Sequence, residues 1–175
     1  MISKPIENSY QVIPDKFLAG EYPRDINEES SISKIETLIT AGVRTFIDLT
    51  TKEDNLKPYD YLLKPYRSLN IHHFNFPVPD LSIPSSKRQT VEILDTIEKY
   101  IETGIVYLHC WGGVGRTGVI VGCWLAEHGY PGQKALIRLQ ELWKECVKST
   151  ARRSPETKSQ EDYILTWVEN KFSGK

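Results

Sequence analysis

His109-Cys110-Trp111-Gly112-Gly113-Val114-Gly115-Arg116-Thr117-Gly118 is the stretch that decides how this chain reads. It follows an apolar run, Ile105-Val106-Tyr107-Leu108, and precedes another in which Val119, Ile120, Val121, Trp124, Leu125 and Ala126 recur. The first run reads as a buried strand and the second as a buried helix. Three of the five residues between Cys110 and Arg116 are glycine. Such a loop turns its amides to one side, and the helix N-terminus adds its own unbonded N–H groups, so together they cradle an anion. The same field favours the thiolate of a cysteine at the loop's head. An arginine at its tail can grip two oxygens of a tetrahedral oxyanion.

Outward from this loop, helices and strands alternate. Tyr10–Ile13 and Phe17–Ala19, split by Pro14-Asp15, predict a pair of strands. Ile32, Ile35, Leu38 and Ile39 fall at helical spacing, with Gly42 as a stop. Val43–Leu49 is a buried strand, Thr50–Pro58 a polar loop, and Tyr59–Leu69 a helix. Ile71–Val78 reads as a strand that leaves the sheet at Pro77-Val78-Pro79-Asp80. Ser85–Thr103 carries Val91, Leu94, Ile97 and Ile101 on one face, stopped by Gly104. Pro131–Lys148 places Ala135, Leu139, Leu142 and Cys146 on one stripe, with Pro131 in the first turn, and Glu156–Phe172 is a last helix. The pattern is an α/β fold, a central and mostly parallel sheet flanked by helices. One domain over 1–175 is expected, with strands and a helix to about 42, a core to about 130, and helices over about 131–172.

Composition narrows the class. A formal net charge of −1 gives no global pull toward nucleic acid or membrane. MISKPIENSY has no apolar core of signal-peptide length, and no run is long enough to span a bilayer. Three cysteines, an odd number, suit a reducing compartment better than a disulfide framework. A cytoplasmic monomer is the expectation. There is no internal repeat and no low-complexity block.

HCWGGVGRTG resembles the signature of the protein tyrosine phosphatase superfamily, and the chain length resembles its compact dual-specificity branch. The resemblance runs in order from about Phe17 to the C-terminus. It implies phosphomonoester hydrolysis through a cysteinyl-phosphate, without metal or cofactor, on a phosphorylated protein or peptide. Cys110 is then the nucleophile. An inert buried thiol is the ordinary fate of a free cysteine, but it would not need glycines and an arginine around it. Arg116 is the bidentate phosphate ligand, which lysine could not replace, and Trp111, Gly112, Gly113, Val114 and Gly115 supply the cradle. Trp111 either lines the rim or packs beneath. Thr117 either hydrogen-bonds the sulfur as it leaves or caps the helix. His109 orients the loop.

A general acid is also required. Asp80, thirty residues upstream in Phe76-Pro77-Val78-Pro79-Asp80, resembles the family's acid loop, stiffened by Pro77, Pro79 and Pro84. Alone, a Pro-Asp is turn chemistry. Asp48, Asp54 and Asp60 are rivals in less suitable contexts. Gln160 resembles a glutamine that positions the hydrolytic water in some relatives; a helix-surface glutamine is the plainer reading. Arg152 and Arg153 either meet a second phosphate or form a solvated loop. Cys123 and Cys146 are packing residues unless one meets an oxidised Cys110. His72, His73 and His128 show no metal-ligand spacing. Three rival functions stand beside this one. The same chemistry suits a phosphoinositide, an inositol polyphosphate or an RNA 5′-phosphate, although no lysine sits in the loop. A non-catalytic phospho-binding module is opposed by intact Cys110, Arg116 and Asp80. A sulfur transferase has no use for Gly-Arg-Thr-Gly or an upstream acid.

Overall fold

The structure, a computed structural model, describes residues 4–172, with side chains through Glu169. Five strands form one sheet: β1 (Ser9–Ile13), β2 (Phe17–Gly20), β3 (Val43–Asp48), β4 (His72–Asn75) and β5 (Ile105–His109). Their order is β1-β2-β5-β3-β4. The β1–β2 hairpin is antiparallel, and β2–β5, β5–β3 and β3–β4 are parallel, as expected of a mostly parallel sheet.

Five α-helices flank it: α1 (Glu28–Thr40), α2 (Lys87–Tyr100), α3 (Gly115–Glu127), α4 (Gln133–Trp143) and α5 (Lys158–Phe172). Asn27 and Ser86 cap α1 and α2 through side-chain oxygens that accept the amides of Ser30 and Gln89. Ile35, Leu38 and Ile39 of α1 pack on one face of the sheet with Phe46 and Tyr107. Helices α2, α3, α4 and α5 bury Ile93, Ile120, Leu139 and Ile164 on the other, where Val106 and Leu108 lie.

β5 is buried along its whole length, so its two-residue alternation is apolar on both faces. Ile105 and Tyr107 join the α1 side, whereas Val106, Leu108 and then Cys110 join the α3 side. The pleat thereby turns Cys110 toward α3 and His109 away from it. Each of the four mutually parallel strands sends its following loop to the same edge of the sheet, where open α/β sheets bind their ligands.

The sequence expectations need correction at several ends. Asp60–Leu69 is a run of 3₁₀ turns broken at Tyr66, because Pro65 has no N–H to donate and its ring disrupts a helix. β4 stops at Asn75, ahead of Pro77 and Pro79, which likewise cannot extend a ladder. Pro131 precedes the N-cap Gly132 and so lies outside α4, which ends at Trp143. Cys146 is buried, but in the turn that leads to a 3₁₀ segment, Val147–Thr150. Thr50–Pro58 includes a short 3₁₀ turn, Lys52–Asp54.

Candidate active site

Cys110 follows β5 directly and is 3% exposed. It lies in a cavity of about 920 Å³ whose lining also includes Asp80, Trp111, Ile26 and Leu56. Trp111 is 53% exposed, which places it on the rim and not beneath the loop.

The loop from Cys110 to Gly115 is oriented from outside itself. The Cys110 carbonyl accepts His109 Nδ1 at 3.3 Å, and the Trp111 carbonyl accepts the Tyr22 amide at 2.9 Å. Lys148 Nζ donates to the Gly112 carbonyl at 3.2 Å, and Ser154 Oγ to that of Val114 at 2.7 Å. Peptide N–H and C=O groups point opposite ways, so pinning carbonyls outward leaves amides facing inward. Among the described residues, the amides of Trp111, Gly112, Gly113 and Val114 have no protein acceptor. Gly113 has a φ of +74°, and a Cβ there would lie 2.5 Å from the Gly20 carbonyl carbon, so no other residue fits without moving β2.

Arg116, in the first turn of α3, has five N–H donors. Nη1 reaches Asp54 Oδ2 at 2.7 Å and the Val78 carbonyl at 3.1 Å. Nη2 reaches Asp54 Oδ1 at 3.0 Å and Asp80 Oδ1 at 3.0 Å. The fifth donor, Nε, is buried with no protein acceptor among the described residues. Burial works against the Arg116 charge, but the Asp54 hydrogen bond and the negative field of Cys110 and Asp54 outweigh it and raise its pKa.

Asp54 and Asp80 differ despite sharing this partner. The Asp54 side chain is 2% exposed and that of Asp80 54%. Burial raises the Asp54 pKa, yet hydrogen bonds from Arg116 and the Thr51 amide hold it net below the ordinary carboxylate range. Asp54 is therefore a standing anion that orients the guanidinium. The Thr51-x-x-Asp54 capping box was the available sequence signal, since it fixes the aspartate in a turn after β3. Asp48 is committed elsewhere, accepting the Thr50 amide at 2.7 Å and the Thr50 hydroxyl at 2.6 Å.

His109 is fully buried among Tyr22, Tyr59 and Tyr107. The Cys110 carbonyl can only accept, so His109 Nδ1 carries the proton and Nε2 accepts the Tyr59 O–H at 2.7 Å; burial keeps that phenol protonated, well above its usual range. Burial also lowers the His109 pKa to about 4, and the opposing pull of Asp48 does not offset it.

Thr117 is buried, and its hydroxyl has no protein partner among the described residues. It does not cap α3, whose N-cap is Val114. Gln160 is wholly buried, which removes the helix-surface reading, and its amide is engaged by Glu156, Thr157 and Ser82. Arg152 is paired with Glu156, and Arg153 is 79% exposed and 4.0 Å from Glu161. The cysteines are free thiols; burial raises Cys123 well above its usual range and Cys146 to about 12. Among the described residues no three His, Cys, Asp or Glu side chains are grouped to hold a metal, and no helix is long and apolar enough to cross a membrane. Tyr22, Lys148 and Ser154 are site residues that sequence reasoning missed, and no local motif marks them; Asp54 was named only as a rival acid, not as the partner of Arg116.

Comparison with known proteins agrees with this geometry. The family model described as "PTP-SAK: Swiss Army Knife protein, DSP-PTPase phosphatase domain" matches residues 9–164. "Putative tyrosine phosphatase 067L" of Invertebrate iridescent virus 3 is 31% identical over 120 residues, covering 65% of this chain and 44% of the viral protein. Mouse "Dual specificity protein phosphatase CDC14B" is 31% identical over 124 residues, 67% of this chain and 24% of that protein. The chain thus spans less than half the length of either relative. Among solved structures, a mutant form of Tk-PTP superposes with a TM-score of 0.72 at 19% identity, covering 93% of this chain and 95% of that one. Kinase associated phosphatase gives 0.70 at 16%, covering 91% and 88%. These last two establish a shared fold.

Proposed function

Because the chain belongs to the dual-specificity-type phosphatase domains of the protein tyrosine phosphatase superfamily, we propose that it hydrolyses phosphotyrosine in proteins, with phosphoserine and phosphothreonine as further substrates. The observation that carries this reading is a set of unused donors. Among the described residues, four loop amides and Arg116 Nε lack protein acceptors around a cysteine that shares its cavity with Asp80. That is the complement a phosphoryl group's oxygens require.

The cycle has two steps. The Cys110 thiolate attacks phosphorus in line, forming the S–P bond as the bond to the ester oxygen breaks. The loop amides and Arg116 hold the three non-bridging oxygens, and Asp80 gives its proton to the leaving oxygen. Water then attacks phosphorus, Asp80 takes a proton from it, and the sulfur departs with the Thr117 hydroxyl as its hydrogen-bond donor. Asp80 suits a proton carrier better than Asp54 does, since it is half-exposed and lines the cavity.

The cavity's charges favour a monophosphate over a polyphosphate. Lys34 is paired with Glu21 and Asp25, Lys148 with Glu21, Arg152 with Glu156 and Arg24 with Glu28, which leaves Lys57 as the lining cation without an ion pair among the described residues. Ile26, Leu56 and Trp111 offer apolar surface to an aromatic ring. The free thiols support a reducing compartment, the cytoplasm. The test is phosphate release from matched phosphotyrosine, phosphoserine, phosphothreonine and inositol-phosphate substrates, with Cys110→Ser as the blank. Release from the peptides that vanishes in the serine variant is expected. Release from inositol phosphates alone would reassign the substrate.

A further inference from the structure

Asp80 has one side-chain tie, to Arg116 Nη2 at 3.0 Å. Its side chain is 54% exposed, and the next residue, Leu81, has a φ of +60°, a left-handed conformation uncommon for a residue with a branched side chain. The turn closes with a hydrogen bond of 3.1 Å from the Ser82 amide to the Pro79 carbonyl. Beyond that turn, the loop is anchored by other elements. Upstream, the Val78 carbonyl accepts Arg116 Nη1 and the Val78 amide donates to Leu49. Downstream, the Ser82 carbonyl accepts Gln160 Nε2 at 2.9 Å, from a residue on α5.

Gln160 is suited to this contact. Its Oε1 accepts the amides of Glu156 at 3.0 Å and Thr157 at 3.1 Å. The Gln160 backbone N–H donates to Thr157 Oγ1 at 3.3 Å, so Thr157-Lys158-Ser159-Gln160 is a capping box that fixes the first turn of α5. Two N–H donors and one carbonyl around the group settle which end of the amide is oxygen. A Cβ on Gly115 would come within 2.9 Å of Nε2, so the group also rests against the last residue of the phosphate loop. One buried amide therefore joins the α5 N-terminus, the phosphate loop and the segment two residues past Asp80.

We propose that Gln160 is a positioning residue that latches the Asp80 loop over Cys110. The inference rests on Asp80 being the general acid. It differs from the water-positioning role that the sequence resemblance suggests, because both lone pairs of Oε1 are already taken by backbone amides.

Gln160→Glu separates the two ends of the group. The carboxylate still accepts the two amides at the start of α5, where negative charge is favoured, but it sets an oxygen against the Ser82 carbonyl. Gln160→Met, which keeps the bulk without the polar end, is the second variant. The rate of phenol release in the first turnover is measured at pH 7 by rapid mixing on aryl phosphates of increasing leaving-group pKa, beside steady-state turnover. With the latch lost, both variants fall roughly tenfold or more on phenyl phosphate but only about two- to threefold on an activated aryl phosphate, as acid catalysis predicts. Gln160→Glu costs little more in an Asp80→Asn background than Asp80→Asn costs alone, since the glutamine acts through the aspartate.

A first-turnover rate unchanged on every leaving group, with steady-state turnover lowered, would overturn the latch in favour of water positioning. Full activity of both variants would also overturn it, leaving Gln160 as a helix cap. If Asp80→Asn itself shows no leaving-group dependence, the acid assignment fails and the latch with it. Dependence in Asp80→Asn without any in the Gln160 variants sinks the latch alone.

Discussion

The loop from Cys110 to Gly115 and the loop that carries Asp80, the proposed phosphate and acid loops, meet at Arg116, yet they are held in opposite ways. The first is buried between β5 and α3, with carbonyls pinned by His109, Tyr22, Lys148 and Ser154. The second, after β4, is largely exposed and is tethered at Val78 and Ser82 with Asp80 between. Their two aspartate contacts to Arg116 show the same division: Asp54 is enclosed and permanently charged, while Asp80 is open to solvent on one side. A group that must bind the same oxygens every time benefits from rigidity. A group that must gain and lose a proton needs access to water.

That contrast can be broken at several points. Asp80→Asn should have the largest effect, lowering turnover on a phosphotyrosine peptide by about 10²–10⁴-fold with little change in the binding of substrate, because only the proton is removed. Steady-state kinetics on the peptide beside an activated aryl phosphate check it; full activity on the peptide would sink the acid role. Asp54→Asn should act differently, through geometry. With its standing anion lost, Arg116 is no longer held bidentately, and kcat/KM should fall by roughly 10–100-fold for good and poor leaving groups alike. Unlike Asp80→Asn, it should also lower the melting temperature, since a buried charge loses its partner. A leaving-group dependence as steep as that of Asp80→Asn would erase the distinction between the two carboxylates.

The smallest effect concerns His109. In the folded protein its ring takes up a proton only near pH 4, against 6.5 for the ordinary imidazole. Between these values the unfolded chain holds more protons than the folded one, so stability is full above about pH 6.5 and declines as the pH falls. From pH 7 to 5 this one ring accounts for about 2 kcal/mol. Urea unfolding at the two pH values, compared with His109→Asn, should show a shallower decline in the variant. A folded-state ring titration near 6.5, seen by NMR, would contradict the buried neutral assignment.

Much of this site was legible because its chemistry is local in the chain. The glycines between Cys110 and Arg116, the flanking apolar runs and the Pro-rich approach to Asp80 each state their conformation through nearest neighbours. The strand–loop–helix unit and the mostly parallel sheet follow from periodicity in the same way. Misjudged ends came from proline, as at Pro65 and Pro77, where a missing N–H overrides an apolar pattern. Gln160 was noticed only by resemblance, although Thr157-x-x-Gln160 was a readable capping signal.

The sequence by itself determined the class of fold and the family, and it singled out Cys110, Arg116 and Asp80 as candidate nucleophile, phosphate ligand and acid, since these depend on residue types at short spacing. Tertiary structure alone decided which aspartate is enclosed with Arg116, which distant donors turn the loop amides inward, and what the Gln160 amide holds. Those contacts join residues as far apart as Asp54 and Arg116 or Ser82 and Gln160. A hydrogen bond across such a separation is set by how the helices pack on the sheet, and leaves no periodicity in the chain to read.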